Sequence, residues 1–127
     1  MCCLFGLIDY NHTLSRRQKI RIIRTLAELS EERGTDAAGI AYNSGGTLRI
    51  DKHPGAAHTL NFRVPRDSTV VMGHTRMTTQ GSALKTQNNH PFAGNAQGMP
   101  FALAHNGALY NDRLLRKTLK LPATNIE

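Results

Sequence analysis

The sequence contains no tryptophan, three tyrosines and four phenylalanines. Its core therefore has to be built mainly from aliphatic side chains and alanine, and aromatic platforms for stacking nucleic-acid bases are sparse. It has two cysteines, Cys2 and Cys3, side by side. A bridge between neighbours is strained and closes almost no loop, which excludes a disulfide framework. Thiol-only usage points to a reducing compartment, so a cytoplasmic location is expected. No apolar run approaches the ~20 residues of a membrane span, and the N-terminal run lacks the basic flank of a signal peptide. Acidic residues are the scarcer charge, 9 against 16 Lys and Arg, for a net charge of +7. Much of that excess sits in one run, Arg16-Arg17-Gln18-Lys19-Ile20-Arg21-Ile22-Ile23-Arg24. A charge run on one helix is usually a solvated face, and no nucleic-acid recognition motif accompanies it, so no nucleic-acid partner is expected.

What is present suits one domain over residues 1–127, with no repeat or linker to divide it. Cys3 to Asp9 is short and apolar and predicts a buried strand. Ser15 followed by Gln18 has the capping-box pattern and predicts a helix from Arg16 to about Arg33, stopped by Gly34. Ile20, Ile23, Leu26 and Ala27 return on one face, broadened by Ile22 and Leu29, which suits a helix lying on a sheet. Ala37 to Tyr42 and Thr47 to Lys52 read as strands joined by a turn at Asn43-Ser44-Gly45-Gly46. Ser68 to His74 reads as a buried strand, residues 75–99 as one long polar loop, and Pro100 to Ala104 as a strand. A loop of that length inside a compact domain is more often functional than idle. Asn111 can cap a last helix from Asp112 to about Leu119, with Leu114, Leu115 and Leu119 inward and Pro122 ending it.

Chemistry concentrates at strand ends, where a rigid sheet fixes the roots of loops. Three polar, glycine-containing segments lie there: Arg33 to Gly39, Gly73 to Gly81, and His105-Asn106-Gly107. An arginine just past a buried strand can present its planar fork to a carboxylate. An Asn-Gly pair offers a side-chain amide and an open backbone N–H that can converge on one oxyanion. Cys2 follows Met1, and removal of Met1 would leave a thiol and a free α-amine on one residue, nucleophile and base together. Reference pKa values of ~8.5 and ~7.7–8.0 suit proton exchange between them near neutrality. The six histidines show no metal-ligand pair spacing.

In order along the chain stand Met1-Cys2-Cys3-Leu4-Phe5-Gly6, Arg33-Gly34-Thr35-Asp36-Ala37-Ala38-Gly39, Gly73-His74-Thr75-Arg76-Met77-Thr78-Thr79-Gln80-Gly81, Asn88-Asn89-His90-Pro91, and His105 to Asn111. This set resembles the class II glutamine amidotransferase domain, of the N-terminal-nucleophile (Ntn) hydrolase type. The resemblance implies an α+β fold, a four-layer αββα sandwich of which only the N-terminal part is present. It implies hydrolysis of the side-chain amide of L-glutamine through a Cys2 thioester to give glutamate and ammonia, with a synthase domain or subunit as the ammonia acceptor. Asn106 and Gly107 would form the oxyanion hole, and Arg76, Thr79 and Gln80 would bind substrate. Arg33, Gly34, His74 and His105 would support the site, with no metal and no cofactor.

Three departures stand out: Cys3 replaces the family's usual glycine, Gln80 a frequent histidine, and Met77 a usual aromatic. Relatives continue into a segment whose aspartate holds the substrate amine, so the chain is expected to be truncated near Asn125-Ile126-Glu127. With Met1 retained it should be weak or inactive. Missing strands would leave sheet edges that favour pairing between copies. The competing readings are an amidotransferase-like scaffold without catalysis and, further off, a basic nucleic-acid-binding module.

Overall fold

The computed structural model describes residues 2–121. Four strands form one antiparallel sheet in the order β1-β4-β2-β3: β1 Cys3–Ile8, β2 Ala37–Ser44, β3 Thr47–Pro54 and β4 Val70–Arg76. The long helix α1, Arg16–Leu29, lies across one face. Two further strands, β5 Phe92–Ala96 and β6 Met99–Leu103, make a separate antiparallel hairpin, and a short helix α2 spans Asp112–Thr118. The architecture is mixed α/β with antiparallel sheets.

Alternation along the strands decides the faces. Phe5 and Leu7 of β1, Val71 of β4, and Ala38, Ile40 and Tyr42 of β2 point to α1, where they meet Ile20, Ile23 and Ala27. Phe62 and Val64, from the irregular stretch before β4, complete this core. Phe5 stands opposite Gly73, and its ring occupies the space where a Gly73 side chain would be. The β2–β3 turn is a two-residue loop, Gly45-Gly46, with φ of 54° and 73°. Both values belong to the left-handed region, which glycine enters without strain. A groove lined by Ala41, Met72, Pro100 and Phe101 runs between the opposite face of the sheet and the β5–β6 hairpin.

Ser15 caps α1 as the sequence predicts: its Oγ accepts from Gln18 N at 3.3 Å while Gln18 Oε1 accepts from Ser15 N at 2.8 Å. The helix ends at Leu29 and tightens into a 3-10 turn over Ser30–Arg33. Ser30 Oγ donates back to Leu26 O at 2.7 Å, a bond that competes with the regular helical ladder. Leu29 does not broaden the buried stripe; it is 65% exposed. The arginines of the basic run are exposed, but Lys19 is fully buried. Its Nζ pairs with Asp9 Oδ2 at 3.0 Å and donates to Arg66 O and Ser68 O. This satisfies the charge and ties the β1–α1 connection to the segment ahead of β4.

Three other expectations need correction. The strand predicted over Ser68 to His74 lies two residues later, because Ser68 serves the Lys19 network instead. The long polar loop contains β5, which its composition hides. Gly94 of that strand is covered by the ring of Phe101 from β6, so the partner supplies the apolar surface. Leu114, Leu115 and Leu119 do not face inward: no residue of α2 is buried, and Asn111 makes no side-chain cap bond. The expectations about Met1, Pro122 and the Asn125-Ile126-Glu127 end lie outside the described residues.

Candidate active site

The site forms where β1 begins and β4 ends. The antiparallel register sets Cys3 opposite Thr75 and Leu4 opposite His74, which brings Cys2 to the level of Arg76. On the other side of β4, Ala37 of β2 stands opposite Arg76. The Cys2 thiol donates to Met77 O at 3.6 Å. Residues 75 positions apart in sequence thus become neighbours through ordinary strand pairing.

Two adjoining cavities open there. The first, of about 40 Å³, is lined by Cys2, Arg76, Thr79, Gln80, His105 and Gly107, with Met77, Asn88, His90 and Phe92. The second, of about 170 Å³, is lined by Cys2, Met77, Thr79, Asn106, Gly107 and Ala108. Every sequence candidate for catalysis or substrate binding lies on this cleft. Of the four supporting candidates, His105 lines it, whereas Arg33, Gly34 and His74 do not. Gly34 packs beneath it against the Arg76–Met77 backbone, where no Cβ would fit.

Arg76 is almost wholly buried. Its Nη1 donates to Asn89 Oδ1 at 2.7 Å and its Nη2 to the carbonyl of Gln80. A guanidinium has five N–H donors, so these two bonds orient the fork without exhausting it. Asp36 clasps the same strand end: its N donates to Arg76 O at 3.0 Å, and its Oδ2 accepts from Thr78 N at 2.7 Å. That N–H, with the charge of Arg76, holds the Asp36 carboxyl below its usual range.

His74 and His90 pack ring to ring at the cleft, tilted by 59°, and His90 lines it. His74 Nε2 lies 3.2 Å from His105 O, which assigns the proton to Nε2. The His74 and His90 rings are 4.3 Å apart, and Phe92 meets His90 edge-on at 4.4 Å. Burial pushes His74 down to about 4, and burial with the neighbouring His74 and Arg76 pushes His90 down to about 3. Both rings are therefore neutral at physiological pH. The ring of His105 folds back over Gly107, closing the space a side chain would need there.

Sequence reasoning missed the part played by Asn89, Lys52 and Phe92. Asn89 is fully buried and holds Arg76, and Lys52 Nζ donates to Asn89 O at 2.5 Å while sitting 4.8 Å from the centre of the Phe92 ring. The only available signal was an Asn-Asn pair in a loop rich in hydrogen-bonding residues. Among the described residues, no cluster of three or more His, Cys, Asp or Glu is placed to hold a metal ion, and no helix is long and apolar enough to cross a membrane.

The chain is similar to known proteins over most of its length. The glutamine--fructose-6-phosphate aminotransferase (isomerizing) of Caldanaerobacter subterraneus subsp. tengcongensis is 38% identical over 117 residues, covering 90% of this chain and 18% of that protein. The enzymes of the same name from Oceanobacillus iheyensis and Symbiobacterium thermophilum are 35% and 30% identical over 116 and 118 residues. These alignments cover 88% and 91% of this chain and 18% of each relative, so the chain spans less than a fifth of the length of the curated relatives it matches. The family model for class II glutamine amidotransferases matches residues 1–125, and the chain belongs to that family.

Proposed function

We propose that this chain hydrolyses the side-chain amide of L-glutamine, with Cys2 as nucleophile. The observation that carries the reading is the convergence on one cleft of Cys2, Arg76, Thr79, Gln80, Asn106 and Gly107, drawn from three separated segments. With Met1 removed, the α-amine of Cys2 takes the thiol proton and the thiolate attacks the amide carbon. The negative charge then develops on the former carbonyl oxygen, where the Asn106 amide and the Gly107 N–H donate to it, each such donor contributing about 3–4 kcal/mol. The C–N bond breaks as the ammonium form of the amine returns its proton to the leaving ammonia. Water hydrolyses the γ-glutamyl thioester to glutamate and regenerates the thiol.

Arg76 binds the substrate α-carboxylate, and Thr79 and Gln80 line the same pocket. Arg33, Gly34, His74 and His105 hold the surroundings in place. The one domain, residues 1–127, forms part of a four-layer αββα sandwich, of which the four-stranded sheet with α1 on one face supplies two layers. A synthase domain or subunit accepts the ammonia, by analogy with the glutamine--fructose-6-phosphate aminotransferases that the chain resembles. The setting is cytoplasmic, and copies pair through open sheet edges.

The test is glutamate release from L-glutamine by protein whose intact mass shows Met1 absent, beside a Cys2→Ala variant and alkylation by a glutamine-analogue electrophile. Modification of Cys2 and not Cys3, with activity lost in Cys2→Ala, is expected. Release of glutamate that survives Cys2→Ala would sink the proposal. An amidotransferase-like scaffold without catalysis predicts glutamine binding with no alkylation of Cys2.

A further inference from the structure

Arg76 does not reach the cleft unaided. Asn89, fully buried, sits at the junction of every element around it. Its Oδ1 accepts from Arg76 Nη1 at 2.7 Å and its Nδ2 donates to Ala83 O at 2.7 Å. Its backbone N donates to Thr86 O at 3.1 Å, and its carbonyl accepts from Lys52 Nζ at 2.5 Å. One side chain thus joins the end of β4 to the loop that carries Thr79 and Gln80, and β3 anchors it from behind. Within Asn88-Asn89-His90-Pro91 it occupies the position the family pattern leaves open.

We propose that Asn89 is the positioning residue that sets this chain's selectivity for a substrate bearing an α-carboxylate, by fixing the guanidinium fork of Arg76. The inference rests on the reading of Arg76 as the carboxylate clamp. A neutral amide oxygen suits the task. It accepts one N–H and fixes the plane of the fork, and it adds no negative charge of its own beside the guanidinium. An aspartate would hold the same N–H but would neutralise the charge the substrate needs. An alanine would release the fork to other rotamers and leave Ala83 O without its donor.

The experiment is calorimetric titration of the full chain in a Cys2→Ala background, where nothing is turned over. The ligands are L-glutamine and 4-aminobutanamide, which is glutamine without its α-carboxylate. The parent is expected to prefer L-glutamine. Adding Asn89→Ala should raise the Kd for L-glutamine roughly five- to tenfold and leave that for 4-aminobutanamide within about twofold. Asn89→Asp keeps the volume and should lose more of the preference than Asn89→Ala, and it decides the matter if the alanine variant does not fold. A merely structural role would weaken both ligands together, which overturns the proposal. A preference that survives both substitutions also overturns it and leaves the clamp reading intact. A parent with no preference removes the clamp reading itself, and this inference with it.

Discussion

Gly34 lies against the carbonyl carbon of Arg76 so closely that a Cβ on it would overlap the backbone there. Its φ of 168° is extended backbone open to any residue, so the requirement is for space and not for conformation. Gly34→Ala should therefore cost about 1–3 kcal/mol through overpacking. It should also displace Met77 and Thr79 from the cleft. Denaturant melts read the first effect and glutamate release the second. A variant as stable and as active as wild type would show that the contact yields without consequence.

Asn106 lies on the cleft with Cys2 and Gly107. Asn106→Ala should lower kcat roughly 100- to 1000-fold and change KM far less, because a donor aimed at a developing oxyanion acts mainly in the transition state. A raised KM with kcat unchanged would place Asn106 in ground-state binding instead.

Burial pushes the Asp9 carboxyl up, but hydrogen bonds from Lys19, Thr13 and Leu14 outweigh it and hold the group far below its usual range. A depressed folded value means stability that is full above the unfolded pKa, about 3.8, and lost as pH falls below it. The stability difference between wild type and Asp9→Asn should be constant above about pH 5 and shrink on further acidification. Denaturant midpoints across pH 2.5–7 would measure it, and a difference independent of pH would refute it.

His74 follows the same sign for a different reason, because burial disfavours its charged form. Its pKa falls from 6.5 in the unfolded chain to about 4 in the fold. Between those values the unfolded chain binds a proton that the native state refuses, so stability should decline as pH falls from 6.5 to about 4. His74→Asn should lessen that slope in the same titration, with His90 contributing the remainder. An unchanged slope would assign it to other groups.

Much of this was legible in the residues. The capped start of the helix at Ser15 and the Gly45-Gly46 hairpin follow from local patterns, as does the strand around Gly73 but for the two residues by which the Lys19 network delays its start. The cleft was legible because Arg76, Asn106 and Gly107 sit at strand ends, where the sheet gathers loops. β5 was not, since Gly94 and Asn95 carry no apolar signal and Phe101 supplies the cover from the other strand. Lys19 was absorbed into a solvated basic face, because its partners Asp9, Arg66 and Ser68 are distant in sequence or contribute backbone carbonyls. Asn89 escaped for a similar reason: its worth lies in four bonds to three segments, and spacing along the chain encodes none of them.

The antiparallel pairing of β1 with β4 has a consequence for how far this site can drift. The reach of Cys2 is counted out along a strand rather than steered by a loop. Deleting one residue between Cys2 and Phe5 would draw the thiol back by about 3.3 Å and turn it to the opposite face of the sheet. No side-chain rotation recovers both losses. Length changes that surface loops absorb freely are therefore closed to this segment, and the chain can vary the residues of β1 far more readily than their number.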